Sequence, residues 1–202
     1  ALAIRRLIRK VQPDLIISFL TKVNCLTLLA ASGTGIPVVI SERNNPTIQS
    51  PHFWRRLQLA LMPRAAGIAM QTRAAAADLR PAQAARAHVI PNHCSAVEFT
   101  RPEPAAHCRF VAAGRLDHQK GFDLLLEAFA QMPEDTGATL DIFGEGHARP
   151  QLENQIAALG LTGRARLAGL APTADSWMGA GDVLVVSSRY EGFCNVVAEA
   201  TC

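Results

Sequence analysis

Two carboxylates, Glu191 and Glu199, are separated by seven residues that include Gly192, Phe193 and Asn195. The run Val183-Leu184-Val185-Val186-Ser187 before them reads as a buried strand ending at Ser187, followed by a polar loop and a helix opening near Asn195. That order puts Glu191 at the carboxyl end of a parallel strand, where open α/β sheets bind their ligands. Backbone N–H groups of residues 192–195 suit a phosphate or sugar oxygen, and Glu199 lies one helical turn beyond Asn195, on the same side.

A second constellation is Gly114-Arg115-Leu116-Asp117-His118-Gln119-Lys120-Gly121, again after an apolar run and before a helical pattern. Arg115 and Lys120 stand there at a helix N-terminus, where cations oppose the helix dipole. An anion held between them removes the conflict, and a diphosphate has the charge and the length for it. The third is Phe143-Gly144-Glu145-Gly146, whose Gly144 and Gly146 allow a tight strand-to-helix turn and close approach by a flat ligand. Solvated loop and helix charges are the ordinary reading of such residues. Convergence of three loops at the carboxyl ends of one sheet favours a ligand.

The elements that must position them alternate. Short apolar runs at 15–20, 38–41, 67–71, 88–90, 109–113, 139–143, 166–168 and 182–187 are separated by helical spacing. Trp54, Leu57 and Leu61 share one face; so do Phe122, Leu125, Leu126 and Phe129, and Leu152, Ile156 and Leu159. Continuous apolar strands between helices predict an α/β fold with parallel sheets covered on both faces. Residues 99–107, with two prolines and no periodicity, read as a linker between two such units.

Composition narrows the classes. Of 202 residues, 49% are hydrophobic and 18% charged, which excludes disorder. A net charge of +3 is too small to argue for nucleic acid. Five cysteines without Cys-x-x-Cys spacing make neither a disulfide framework nor a zinc cluster, and His88, His93, Cys94, His107 and Cys108 fit no ligand pattern, so no metal is expected. Reduced thiols favour a cytoplasmic setting, and no apolar run approaches the roughly 18 residues of a membrane span. The basic stretches around Arg5 to Lys10 and Arg55 to Arg64 read as solvated helix faces or as contacts with an anionic membrane. The chain opens Ala1-Leu2-Ala3 and stops at Thr201-Cys202 inside an uncapped helical pattern, so further sequence is expected on both sides.

Taken together, Gly114-Arg115 with Lys120-Gly121, Phe143-Gly144-Glu145-Gly146, and Ser188-Arg189-Tyr190-Glu191-Gly192-Phe193 with Asn195 and Glu199 resemble the retaining nucleotide-sugar glycosyltransferases of family 4. The resemblance implies the GT-B fold of two Rossmann-like domains, both incomplete here. Residues 1–98 would be the later part of the acceptor-side domain, 99–107 the linker, and 108–202 the donor domain. By resemblance Arg115 and Lys120 bind the donor diphosphate, Glu199 the ribose, Glu191 the donor sugar, and the backbone around Gly192, Phe193 and Asn195 the sugar and phosphates. Gly114, Gly144 and Gly146 lie near the nucleotide. Where many members have a histidine facing the sugar, this sequence has Arg43 and Asn44, so Arg43 is a candidate for a phosphate or an acidic acceptor and equally a turn residue before Asn-Asn-Pro.

The implied reaction moves a sugar from a nucleoside diphosphate sugar to a glycan or lipid-linked acceptor with retention, without metal or cofactor; the expected setting is cytoplasmic, with the cytoplasmic face of a membrane as the alternative that the basic stretches offer. The fragment alone is expected to be inactive. A sugar-nucleotide epimerase of the same fold, or a non-catalytic nucleotide-sugar-binding partner subunit, are the alternatives. A dinucleotide dehydrogenase would need Gly-x-Gly-x-x-Gly after the first strand, and the sequence has none.

Overall fold

The computed structural model describes residues 1–43, 52–94 and 106–201. By their internal contacts they divide into two units: Ala1–His93 with Glu191–Phe193, and Cys94–Tyr190 with Cys194–Cys202. The expected linker at 99–107 falls largely outside the described residues.

The first unit is a parallel sheet of four strands in sequential order: β1 (Ile16–Phe19), β2 (Val38–Glu42), β3 (Gly67–Met70) and β4 (Ala87–Val89). Its larger helices are α1 (Leu2–Val11), α2 (Thr21–Ala31) and α3 (His52–Leu61), with two short ones, α4 (Arg73–Ala77) and α5 (Pro81–Ala84). Ile40 and Ile68 sit at the centre of its core with Cys25, Leu28, Leu61 and Met62. The helical spacing that groups Trp54, Leu57 and Leu61 is real: Leu61 is buried and the other two pack against the same core. Coverage of both faces fails at β1, where Ile17 is 59% and Phe19 45% exposed. Ile17 and Phe19 alternate with buried Ser18 and so share the one face of β1 that is left open.

The second unit has β5 (Arg109–Ala113), β6 (Thr139–Phe143), β7 (Ala165–Gly169) and β8 (Val183–Leu184), all parallel, in the order β7-β6-β5-β8. Helices α6 (Phe122–Ala130), α7 (Arg149–Ala158), α8 (Ala174–Met178) and α9 (Asn195–Thr201) complete it. Phe122, Leu125, Leu126 and Phe129 of α6 and Leu152 and Ile156 of α7 join Leu140 and Ile142 in one core. A smaller core of Val111, Trp177 and Met178 lies around α8.

The expected strand at 182–187 needs correction. Only Val183 and Leu184 pair, with β5, and Val183 and Val186 are 42% and 44% exposed. Val185 N still donates to Val111 O at 2.8 Å, but beyond it the run leaves β5, and Ser187 Oγ donates to Lys120 O instead. What anchors it is Asp182, whose carboxylate accepts from Arg109 Nε at 3.0 Å and Nη2 at 2.8 Å. Those bonds hold the Asp182 carboxyl down at about 2.

The strand order decides where a ligand belongs. The chain runs outward from β5 to β6 to β7, then returns to the opposite side of β5 as β8. A crevice therefore opens outside the carboxyl ends of β5 and β8, the switch point at which doubly wound sheets bind ligands.

Candidate functional site

The loop after β5 carries Gly114, Arg115 and Lys120, and its course is set by its own side chains. Asp117 caps the 3-10 turn His118–Lys120 by accepting from Lys120 N at 3.2 Å. Its other oxygen faces Arg115 Nη2 at 3.4 Å. The Arg115 side chain is 74% exposed, a cation presented to solvent and held loosely from below. The stem of Lys120 lies across Gly114, where an added Cβ would come within 3.0 Å of Lys120 Cε.

Gly144 and Gly146 follow β6, and both admit the close approach of a neighbouring backbone. A Cβ on Gly144 would stand 1.8 Å from the carbonyl oxygen of Gly114, and one on Gly146 2.3 Å from that of Leu116. The neighbour that needs the room is the backbone of the β5 loop. Leu116 N donates to Glu145 O at 2.9 Å and Ala148 N to Leu116 O at 3.1 Å, so the two loops are laced together. Glu145 takes two bonds from Arg149, at 2.7 and 2.8 Å, and is thereby held ionised below the usual glutamate range. Beside these loops a pocket of about 230 Å³ is lined by Gly114, Arg115, Phe143, Gly144, Leu170 and Trp177, among others. Its walls are apolar and aromatic, with Arg115 and Glu145, of opposite charge, beside them, which suits a flat ring with polar edges.

Asn195 opens α9 and Glu199 lies one turn on, half-buried. The loop between β8 and α9 is fixed to the β5 loop: Ser187 Oγ donates to Lys120 O at 2.8 Å and Arg189 N to Gln119 O at 2.8 Å. Arg189 also forms a two-pronged pair with Asp123, at 2.6 and 2.7 Å, which sequence reasoning missed. That pair depresses the Asp123 carboxyl, mainly through the hydrogen bonds from Arg189. A cation placed two residues before Glu191 was the available signal; its partner 66 residues away was not visible.

Glu191, Gly192 and Phe193 group with the first unit. Glu191 and Gly192 line a cavity of about 570 Å³ there, together with Glu42, Gln58, Met70 and Gln71. Glu42 ends β2, is 3% exposed, and accepts from Thr21 Oγ1 at 2.9 Å and Asn24 Nδ2 at 2.7 Å. Burial pushes its carboxyl pKa up against those bonds. Gln71, also buried, gives its amide to Asn92 Oδ1 at 2.5 Å, and its own Oε1 has no partner among the described residues. The same Asn92 oxygen accepts from Arg43 Nη1, and the Arg43 guanidinium lies over the Phe19 ring at 5.2 Å. Arg43 is thus braced at the carboxyl edge of the first sheet. Asn44 lies outside the described residues.

The structure therefore brings Gly114, Arg115, Lys120, Gly144 and Gly146 into one loop cluster and places Asn195 and Glu199 on α9 of the same unit. No cluster of three or more metal-ligating side chains occurs among the described residues, and no described helix is long and apolar enough to cross a membrane.

Residues 107–202, within the second unit, match the family model of the glycosyl transferases group 1. Among curated proteins, a lipopolysaccharide core biosynthesis glycosyltransferase, LpsE, of Rhizobium meliloti is 37% identical over 90 residues, 45% of this chain and 26% of that protein. An α-1,4-N-acetyl-D-galactosaminyltransferase of Campylobacter jejuni, which acts on an undecaprenol diphosphate-linked GalNAc glycan, is 26% identical over 98% of this chain and 55% of its own length. Anabaena Alr3699/HepE, solved with UDP, superposes with a TM-score of 0.78 at 21% identity, over 99% of this chain and 60% of that one. The lipopolysaccharide outer core galactosyltransferase WaaB gives 0.71 at 17%, over 98% and 57%. The two four-stranded parallel sheets with flanking helices thus have the fold of GT-B glycosyltransferases, as the motifs imply. The chain spans 60% or less of the length of each of these proteins.

Proposed function

We propose that this chain is the donor-binding part, with a portion of the acceptor side, of a family 4 retaining glycosyltransferase that moves a sugar from a nucleoside diphosphate sugar to a glycan or lipid-linked acceptor. One observation carries the reading: the loops after β5 and β8 meet at the switch point of a doubly wound sheet, and the first of them holds Arg115 and Lys120. The matched group 1 model over this unit and the UDP held by the Anabaena neighbour support it.

The chemistry follows from charge. Departure of a nucleoside diphosphate leaves negative charge on the β-phosphate, and fixed donors that meet that charge lower the barrier. Arg115 and Lys120 are the groups proposed to do so, without a metal or cofactor. The base would lie in the apolar pocket beside Gly114 and Trp177, the ribose hydroxyls on Glu199, and the sugar against Glu191 and the backbone from Gly192 to Asn195. Arg43, braced by Asn92, would face an anionic group on the acceptor side. Exposed Arg6, Arg9 and Lys10 of α1 fit an acceptor presented at an anionic, cytoplasmic membrane face.

Calorimetry of the full-length protein with UDP and a panel of nucleotide sugars tests the reading. Binding is expected for at least one nucleoside diphosphate. Arg115→Ala or Lys120→Ala should abolish transfer with the fold retained, and Glu199→Ala should weaken the nucleotide roughly tenfold, the loss of one charge-assisted bond. Wild-type turnover in either cation variant would sink the diphosphate assignment.

A further inference from the structure

We propose that Arg189 and Asp123 form a clamp that positions the diphosphate-binding loop, making both of them positioning residues of the donor site; the proposal rests on the donor reading above. The clamp joins two segments of the second unit. One is residues 187–190, after β8; the other is residues 118–123, which end the β5 loop and begin α6.

The junction is dense. Arg189 Nη1 donates to His118 O at 3.0 Å and to Asp123 Oδ1 at 2.7 Å, and Nη2 donates to Asp123 Oδ2 at 2.6 Å. Around this pair, Arg189 N reaches Gln119 O at 2.8 Å, Gln119 Nε2 reaches Tyr190 O at 3.2 Å, and Ser187 Oγ reaches Lys120 O at 2.8 Å. Gly121 records how close the segments come. Its φ is +65°, and a Cβ there would stand 2.2 Å from the carbonyl oxygen of Ser187.

An isolated exposed ion pair would deserve no such weight. Here the side chains are only 23% and 32% exposed, the geometry is two-pronged, and every other bond of the junction ties the same two segments. Asp123 alone has a local use, since a carboxylate in the first turn of α6 favours the helix dipole. That use does not require Arg189. The cation spans the gap to His118 and Asp123 at once, on either side of Lys120, whose own main chain is held by the capping Asp117 at its N–H and by Ser187 Oγ at its carbonyl. A loop ordered before its ligand arrives does not have to lose that freedom on binding.

Long-range charge and positioning predict opposite signs. Asp123→Asn removes a negative charge near the proposed diphosphate, which by Coulomb attraction alone would tighten UDP. Loss of the clamp would weaken it. The test is calorimetry with UDP on the full-length protein, its Arg189→Gln and Asp123→Asn variants and the double variant, with near-ultraviolet circular dichroism as the check of fold. Expected are a roughly tenfold rise in Kd for each single variant and little further rise in the double, as for groups acting as one unit. An Asp123→Asn variant that binds UDP as well as or better than wild type overturns the clamp, and so do additive losses in the double variant. Weakening in Arg189→Gln alone also overturns it, because the arginine would then be a direct phosphate ligand. Should wild type itself not bind UDP or another nucleoside diphosphate, the donor reading fails first, and the clamp with it.

Discussion

A carboxyl group taken out of water prefers its neutral form, and Glu42 shows the preference despite two good hydrogen bonds from Thr21 and Asn24. Its folded-state pKa is raised above the ordinary 4.5, with burial the largest cause. The sign follows directly: the neutral form costs little, so this group does not oppose folding below about pH 4.5, and it takes stability away as pH rises through the elevated folded value. Glu42→Gln keeps the shape and cannot ionise, and the Thr21 hydroxyl can turn from donor to acceptor to meet the new amide. Urea unfolding should therefore find the variant close to wild type at pH 4 and increasingly more stable than wild type toward pH 8. A gap that stays constant across that range would mean that Glu42 does not titrate as its burial implies.

At the scale of elements, the two loops leaving β5 and β6 behave as one piece because glycine lets their backbones touch. Gly144→Ala would drive a methyl to 1.8 Å from the Gly114 carbonyl oxygen, where no flexible side chain can yield. Gly160, after α7, has φ +69° and open space around it, so Gly160→Ala pays for the left-handed backbone alone. The expected costs are about 1 kcal/mol for Gly160→Ala and about 3 kcal/mol or more for Gly144→Ala, measured by urea unfolding. Equal costs would show that the laced loops are not packed as described. The elements themselves were largely legible, because strands of a covered parallel sheet write themselves as apolar runs; each of the eight runs overlaps an observed strand. The end of the last one was not, since Val185 and Val186 are as apolar as Val183 and nothing local records where the pairing with β5 stops. The site divides in the same way. Arg115, Lys120, Glu191 and Glu199 belong to short motifs, whereas the Arg189–Asp123 pair joins residues far apart in the chain, and Glu42 looks in sequence like the polar end of a strand. Sequence patterns register local spacing and burial; they do not register which distant side chain will arrive beside them.

At the scale of the whole molecule, each unit has its own core, so damage and ligand protection can be assigned unit by unit. Leu126 is fully buried in the main core of the second unit, and Ile68, at 1% exposure, in that of the first. Truncating either to alanine should cost about 2–5 kcal/mol, the transfer and cavity terms of a large aliphatic side chain. The two variants should respond differently to nucleotide. A ligand stabilises whatever it binds by RT ln(1 + [L]/Kd), about 2.7 kcal/mol at a hundredfold excess over Kd. If the donor site is built from the loops after β5, β6 and β8, that gain falls on the transition that Leu126→Ala lowers. Calorimetric scans of the full-length protein with and without UDP should show the nucleotide restoring most of the loss in Leu126→Ala and leaving the transition lowered by Ile68→Ala where it was. Protection of the Ile68→Ala transition instead would move the principal nucleotide contacts to the first unit and displace Arg115 and Lys120 from the centre of the donor site.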